Sequence, residues 1–138
     1  TLHFREICER VLLPLERKIN KGNKVGLVAT VPFQAVRIEV NNEFGAIRGL
    51  LSQVLEFLSP AGRFAAISFH SLEDKLVASA MRSWATAHVG PRGLVLGVED
   101  SKGRLLTKKA LFPSAEEVAN NPRARSARMR VFELKNVK

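Results

Sequence analysis

The stretch that decides the fold is "FAAISFHSLEDKLV", residues 64–77, where an apolar run gives way at once to a charged, helical pattern. The run "RFAAISF" (63–69) is too short for a helix and lies between Gly62 and a His-Ser pair, so it predicts a buried strand. Ser71 precedes Asp74 by three residues, which is the spacing of a capping box, and apolar residues then continue at helical spacing. We therefore expect a strand that leads directly into a helix.

The preceding segment predicts another helix. Apolar residues recur on one helical face over 47–58, and Asn41 or Asn42 is placed to cap the first turn. The sequence Ser-Pro-Ala-Gly at 59–62 ends the pattern. Helix, strand and helix in succession over 42–85 are typical of a parallel α/β sheet, so we expect an α/β fold.

Weaker patterns flank this unit. Residues 3–18 have helical apolar spacing, with Pro14 expected to kink or divide the helix, and 20–32 predict a loop followed by a short extended piece. Residues 86–103 predict a mobile loop. The remaining predicted elements are a short strand at 104–109, a helix at 113–121 begun by Ser114, and a terminal strand at 127–135.

The predicted sheet is incomplete. About three strands are expected, whereas an open, doubly wound sheet usually has about five or more. An uncovered sheet edge invites pairing, so we expect either more of the same polypeptide or a partner chain to cover it.

Composition narrows the function classes. No apolar run approaches the roughly 20 residues that span a bilayer, so no membrane partner is expected. A single cysteine, Cys8, excludes an internal disulfide and a cysteine-based zinc site. The three histidines, His3, His70 and His88, show no ligand spacing, so no metal site is expected.

Positive charge is concentrated in the last part of the chain. The net charge is +9, and residues 101–138 alone hold ten Lys and Arg against three acids. Such an asymmetry favours a polyanion such as nucleic acid over a merely solvated basic tail. The segment "NNPRARSARMR" (120–130) carries four arginines over eight residues, and guanidinium groups bind phosphate bidentately. The arginines of that segment are Arg123, Arg125, Arg128 and Arg130.

Two further clusters could contact a substrate. His70 and Ser71 follow the predicted strand, and ligands of open α/β sheets bind beyond the carboxyl ends of strands. His70 could contact a base or exchange a proton, although a histidine satisfying a loop carbonyl is an equally good interpretation. Ser71 is adequately explained as a helix cap. The second cluster lies in "PFQAVRIEVNNE" (32–43) and consists of Gln34, Arg37, Asn41 and Asn42. These side chains could donate and accept hydrogen bonds to a nucleotide. The alternative is that they cap a helix and supply a surface arginine.

Several strings resemble one enzyme family. "FQAVRI" (33–38) followed by "VNNE" (40–43), "SPAGR" (59–63), "ISFHSLED" (67–74) and "NPRARSA" (121–127) resemble, in this order, motifs in the C-terminal part of the MraW/RsmH family. This family methylates the exocyclic amine of a cytosine in small-subunit ribosomal RNA with S-adenosylmethionine, and it has similar mitochondrial relatives. The resemblance covers residues 30–134.

The resemblance implies a fold and a division of labour. It implies the second half of a Rossmann-like class I methyltransferase sheet, with 1–29 as the end of a helical insert and its linker and 30–138 as the C-terminal half of the methyltransferase-like domain. The cofactor loop of the family lies upstream of the matched region, so S-adenosylmethionine is not expected to bind this chain alone. His70 and Asn41 are implied as catalytic, and the residues implied on the RNA side are Gln34, Arg37, Asn42, Ser71, Arg123, Arg125 and Arg128.

Alternatives remain open. Thr30-Val31-Pro32 stand where the family has Thr-Arg-Thr, which favours an inactive, methyltransferase-like factor of small-subunit assembly that binds ribosomal RNA. A third hypothesis is a subunit complemented by a separate cofactor-binding chain. Expected partners are small-subunit ribosomal RNA, ribosomal or assembly proteins, and the polypeptide that completes the sheet. The expected location is the cytoplasm of a bacterium or the mitochondrial matrix.

Overall fold

A computed structural model describes residues 2–19, 30–86 and 101–136. Three helices precede the first strand, and strands and helices alternate from there on. The mixed α/β class predicted from the sequence is confirmed, consistent with part of a methyltransferase fold. In chain order the elements are α1 (Leu2–Ile19), α2 (Thr30–Val40), α3 (Glu43–Gln53), β1 (Arg63–Ser68), α4 (Ser71–Ala85), β2 (Gly103–Leu105), α5 (Ala115–Asn120) and β3 (Arg128–Leu134). Short 3-10 helices cover Val54–Phe57 and Pro122–Ser126.

The sheet has the order β1-β3-β2, and both pairings are antiparallel. The expectation of parallel pairing is therefore wrong. β1 and β2 do run in the same direction, with α4 between them in the chain, as a crossover pattern predicts. β3 inserts between these two strands and runs the opposite way, so that neither pair of neighbours is parallel.

The core lies between α4 and one face of the sheet. Met81 of α4 and Phe132 of β3 are fully buried, and Trp84 stacks edge-on against Phe132 with ring centroids 5.3 Å apart. Leu51 and Val54 extend this cluster from α3 and the 3-10 helix that follows it. Burying a Met or Phe side chain contributes about 1.5–3 kcal/mol, so these contacts fix α4 on the sheet.

The other face of β1 is exposed. Phe64 and Ala66 face α4 and are partly buried, whereas Ile67 is 60% exposed. The prediction of a buried strand is therefore wrong for this face of β1, because α4 covers the other face only. An apolar residue at this position is typical of a strand that receives a second layer.

The ends of two predicted elements differ from expectation. α1 continues through Pro14, so the predicted division of this helix does not occur. Residues Thr30 to Pro32, expected to be extended, form the first turn of α2. Proline is compatible with a first helical turn because the backbone N–H groups there have no partner within the helix.

Other local predictions are confirmed. Ser114 caps α5 by accepting a hydrogen bond from the Glu117 backbone N–H at 3.1 Å, and the turn at 59–62 ends the helical segment before β1. Most of the loop predicted at 86–103 lies outside the described residues. None of the helices that the structure describes is long and apolar enough to cross a membrane.

The chain divides into two compact units, Thr1–Phe44 and Gly45–Lys138. Within the first unit, Phe4 of α1 contacts Phe33 of α2 edge-on at 4.9 Å between ring centroids. The second unit contains the sheet, α4 and α5. The predicted boundary after residue 29 falls at the end of a stretch outside the described residues.

Candidate functional site

The antiparallel register of β1 and β3 brings two motifs together that lie about fifty residues apart. Ser68, the last residue of β1, is paired with Arg128, the first residue of β3. The start of α4 therefore follows β1 at the end of the sheet where the arginine-rich turn enters β3. His70 and Ser71 thus lie at the same end of the sheet as Arg128, which the order of the motifs in the sequence did not show.

His70, rather than Ser71, caps α4. Its backbone is extended, its imidazole Nδ1 accepts a hydrogen bond from the Glu73 N–H at 3.4 Å, and the Glu73 carboxylate accepts one from the His70 N–H at 3.3 Å. The predicted box of Ser71 and Asp74 is therefore wrong by one residue, because an imidazole nitrogen can accept the bond that a serine hydroxyl usually accepts. His70 Nε2 lies 3.1 Å from Glu73 Oε1, so both ring nitrogens face the same glutamate residue.

Asp74 forms an ion pair with Arg130 instead of capping the helix. Its two carboxylate oxygens accept hydrogen bonds from Arg130 Nε at 2.6 Å and Nη2 at 3.0 Å, which ties α4 to β3. The Arg130 guanidinium holds the pKa of Asp74 below its ordinary value, mainly through these hydrogen bonds. Arg130, expected to bind phosphate, is thus engaged by a carboxylate of the protein itself.

The turn before β3 presents two arginines. Asn121 caps the 3-10 helix by accepting a hydrogen bond from the Arg123 N–H at 3.3 Å, and Ala124 is buried beneath the turn. Arg123 and Arg125 flank Ala124 and are exposed. The buried side chain of Ala124 anchors the turn, and the arginines on either side of it are accessible to solvent.

A cleft of about 590 Å³ opens between α4, β3 and the segment that follows β2. α4 contributes residues spaced along one helical face, Asp74, Ala78, Met81 and Arg82. β3 contributes Arg128 and Arg130, which share one face of the strand. β2 contributes its last residue, Leu105, and the segment after it contributes Lys108, Lys109, Ala110 and Phe112. We call this feature the cationic cleft, since five of its eleven lining residues are Lys or Arg.

Sequence reasoning missed most of the cationic cleft. In sequence, Arg82 resembles an ordinary surface residue of a helix, and Lys108 and Lys109 fall at the end of a predicted strand. The one available signal is the proximity of a Lys-Lys pair to Phe112 in the most basic part of the chain. Two of the cleft residues, Arg128 and Arg130, belong to the arginine run that the sequence singled out, and Arg130 is engaged by Asp74.

The residues predicted in the first unit lie on α2 and the turn after it. Arg37 and Glu43 form an exposed ion pair, with Nε 2.9 Å from Oε1. The Asn41 amide donates to the same carboxylate at 3.4 Å, and Asn42 has a positive φ of 49°. Asparagine tolerates this left-handed conformation better than most residues. Gln34 lies on α2 three residues before Arg37.

Comparison with known proteins places these features in a family. Residues 1–135 match the sequence model of the MraW methylase family. The chain belongs to this family. It is 39% identical over 138 residues to a ribosomal RNA small subunit methyltransferase H from a Nitratiruptor species, covering 97% of this chain and 46% of that relative. A protein of the same name from Chlorobaculum parvum is 46% identical over 103 residues, covering 73% of this chain and 32% of the relative.

A third relative from Campylobacter curvus, also named ribosomal RNA small subunit methyltransferase H, is 43% identical over 110 residues, or 78% of this chain and 36% of the relative. The chain therefore spans less than half the length of these three MraW relatives. Its resemblance to the family, inferred from five short strings of sequence, is confirmed over nearly the whole chain.

The described residues do not offer a fit for the S-adenosylmethionine that the MraW family implies. The sequence has no Gly-x-Gly loop of the kind that lets a backbone approach a nucleotide cofactor. A side chain added at Gly62 would meet the Ser59 backbone, and one added at Gly103 would meet the Glu133 backbone and the Phe132 ring. These two glycines accommodate neighbouring protein rather than a ligand, so we assign no cofactor contact to the described residues.

Proposed function

We propose that this chain is the C-terminal half of an S-adenosylmethionine-dependent methyltransferase that acts on a cytosine of small-subunit ribosomal RNA, and that it supplies the RNA-binding side. Membership of the MraW family and the name shared by the relatives support the ribosomal RNA substrate. The net charge of +9 is of the sign that a polyanionic substrate requires.

The observation that carries the proposal is the pairing of Ser68 with Arg128. It places the start of α4 and the arginine-rich turn at one end of the sheet, although the two motifs are distant in sequence. Arg123 and Arg125 are exposed in that turn. Phosphate contacts position a nucleic acid on a protein without reading its sequence, and we assign this role to Arg123, Arg125 and Arg128.

The chemistry sets further demands on the RNA side. The exocyclic amine of cytosine is a weak nucleophile because its lone pair is delocalised into the ring, so the base must leave its stack and be held in line with the methyl donor. We propose that His70 contacts the displaced base, and we propose a catalytic role for Asn41 of the first unit. The capping interaction fixes the orientation of the His70 ring, and a fixed ring is better suited to positioning a base than a mobile one. Additional RNA contacts are proposed for Gln34, Arg37, Asn42 and Ser71.

The RNA-binding role can be tested on the complete protein that contains this chain. Replacing Arg123 and Arg125 with alanine removes two exposed cations from the proposed RNA-binding surface. Binding to a small-subunit ribosomal RNA fragment is then measured over a range of salt concentrations. The slope of log affinity against log salt should become shallower by about 0.7 for each phosphate of single-stranded RNA that is no longer neutralised.

The matched control removes the same charge elsewhere. Arg48 is exposed on α3, and Lys102 is exposed beside Gly103, which pairs with the last residue of β3 at the opposite end of the sheet from Arg128. The double variant R48A/K102A should keep the salt dependence of the original protein. Equal slopes for the two double variants would show that Arg123 and Arg125 contribute only net charge.

A further inference from the structure

We infer that the cationic cleft binds one nucleotide of single-stranded RNA, with its base against Phe112 and its phosphate among the surrounding cations. The inference rests on the proposed function only in taking RNA as the polyanion. The residues assigned to the phosphate are Arg82, Lys108, Lys109 and Arg128.

A bulge in the strand pairing supplies the two lysines. The Thr107 hydroxyl accepts a hydrogen bond from the Val131 N–H at 2.9 Å, and Leu111 exchanges two backbone hydrogen bonds of 2.9 Å with Met129. These partners are two residues apart on β3 but four apart on the opposing segment. Three residues, 108–110, thus stand opposite the single residue 130, so the segment bulges out of the pairing, and all three line the cleft. Bulges of this kind commonly re-aim side chains at a binding site.

The residues that line the cleft carry an excess of positive charge over the one acidic side chain among them. Asp74 is the one acidic residue among the lining residues, and Arg130 already occupies both of its carboxylate oxygens. Within the part of the chain that the structure describes, Lys108, Lys109 and Arg128 form no salt bridge with a carboxylate. The positive charges that line the cleft repel one another, so an anion bound among them lowers the electrostatic energy.

Phe112 provides a platform for a base. Its side chain is 67% exposed, an unusual state for a residue that gains most free energy by burial. The Arg128 guanidinium carbon lies 6.0 Å from the centre of the ring. An exposed aromatic ring beside cations is the arrangement by which proteins bind single-stranded nucleic acid, because every base can stack on it.

Two further features favour RNA over a phosphorylated peptide. The volume of about 590 Å³ falls within the range of about 300–1,000 Å³ typical of small-ligand sites, which suits a nucleotide. In addition, Arg128 lines the cleft and begins the strand that follows the turn with Arg123 and Arg125. The phosphates of one RNA strand can therefore follow a continuous row of arginines into the cleft.

The test uses the complete protein and three fluorescent probes: a single-stranded decauridylate, a ten-unit strand with the same backbone but no bases, and an acidic phosphoserine peptide. Phe112→Ala should weaken decauridylate binding about tenfold and leave the abasic strand within about twofold, because only the decauridylate can stack. The double variant K108A/K109A should weaken the binding of both strands and reduce the salt slope by about 0.7, the value for one phosphate of a single strand that is no longer neutralised.

Two controls keep the outcome decisive. Phe112→Leu retains an apolar side chain without a stacking face and should bind the probes like Phe112→Ala. The thermal unfolding midpoints of both variants should match that of the original protein, since the Phe112 side chain is exposed. R48A/K102A should leave the binding of all probes unchanged. Equal losses of both strands in Phe112→Ala, an unchanged slope in K108A/K109A, or Phe112-dependent binding of the phosphopeptide as tight as that of decauridylate would each overturn the inference.

The result also separates this inference from the proposed function. Stacking of decauridylate on Phe112 in a protein that transfers no methyl group would overturn the methyltransferase proposal and leave the cleft assignment standing. Methyl transfer by a protein whose Phe112→Ala variant binds both strands equally would overturn the cleft assignment alone.

Discussion

The ion pair between Asp74 and Arg130 should contribute more to stability than the other ion pairs on the sheet. The two side chains are only 13% and 18% exposed, and two hydrogen bonds of 2.6 and 3.0 Å join them. Exposed pairs contribute about 0.2–1 kcal/mol, whereas removing one partner of a buried pair costs about 3–5 kcal/mol. Asp74→Asn lies between these limits, so we expect the free energy of unfolding to fall by about 2 kcal/mol at pH 7.

The pH dependence follows from the lowered pKa of Asp74. A carboxyl whose pKa is lower in the folded than in the unfolded state stabilises the fold fully above its ordinary pKa, which is 3.8 for this residue. That contribution is lost as the pH falls through the lower pKa of the folded protein. The difference in stability between the original protein and Asp74→Asn should therefore be constant near neutral pH and disappear in strong acid.

Urea unfolding of the complete protein, followed by the fluorescence of Trp84, measures this difference. Trp84 contacts Phe132 in the same core that the ion pair braces. Asp74→Asn made in an Arg130→Gln background should cost much less than in the original protein, because the partner is already gone. As a comparison, Arg63→Ala breaks an ion pair to Glu133 whose arginine is 67% exposed and should cost less. Equal losses for Asp74→Asn in both backgrounds would refute the reasoning.

Two further substitutions test local features by thermal unfolding of the complete protein. His70→Ala should destabilise by about 1 kcal/mol through loss of the helix cap, and His70→Asn should restore most of that stability because asparagine is a good cap; equal midpoints for the two variants would contradict the capping role. Gly103→Ala should destabilise by about 2 kcal/mol through overpacking, because its Cβ would meet the Glu133 carbonyl and the Phe132 ring. Gly49→Ala should not destabilise the protein, because its Cβ would have no atom within 4 Å apart from its chain neighbours and the backbone of its own helix. Similar midpoints for these two variants would contradict the close packing at Gly103.

Local patterns predicted the elements well, because each depends on neighbouring residues. The periodicity of α3 and α4, the strand at β1 and the Ser114 cap could all be inferred within short windows of sequence. The position of β3 between β1 and β2 could not, since strand order is decided by contacts between distant segments. The crossover pattern correctly implied that β1 and β2 run in one direction but carried no information about a strand inserted between them.

The candidate site shows the same division. Arg123 and Arg125 can be identified from composition alone and are exposed, as a phosphate-binding role requires. Arg130 in the same run cannot be distinguished from them by sequence, because its carboxylate partner Asp74 lies 56 residues away. The bulge that displaces Lys108 and Lys109 depends on the register with β3, which has no local signature. Motif similarity singled out the arginine-rich turn, and the tertiary structure shows that Arg130 is engaged by Asp74 whereas Arg123 and Arg125 are exposed.

The most direct test of the account is the chemical identity of the methylated nucleoside. The complete protein is incubated with unmethylated small ribosomal subunits and isotopically labelled S-adenosylmethionine, and the ribosomal RNA is digested and analysed by mass spectrometry. We expect the label on the exocyclic nitrogen of a cytidine, with a raised KM for the subunit in R123A/R125A and little change in R48A/K102A. Binding of the subunit without any labelled nucleoside would contradict the account and instead support an RNA-binding assembly factor without methyltransferase activity.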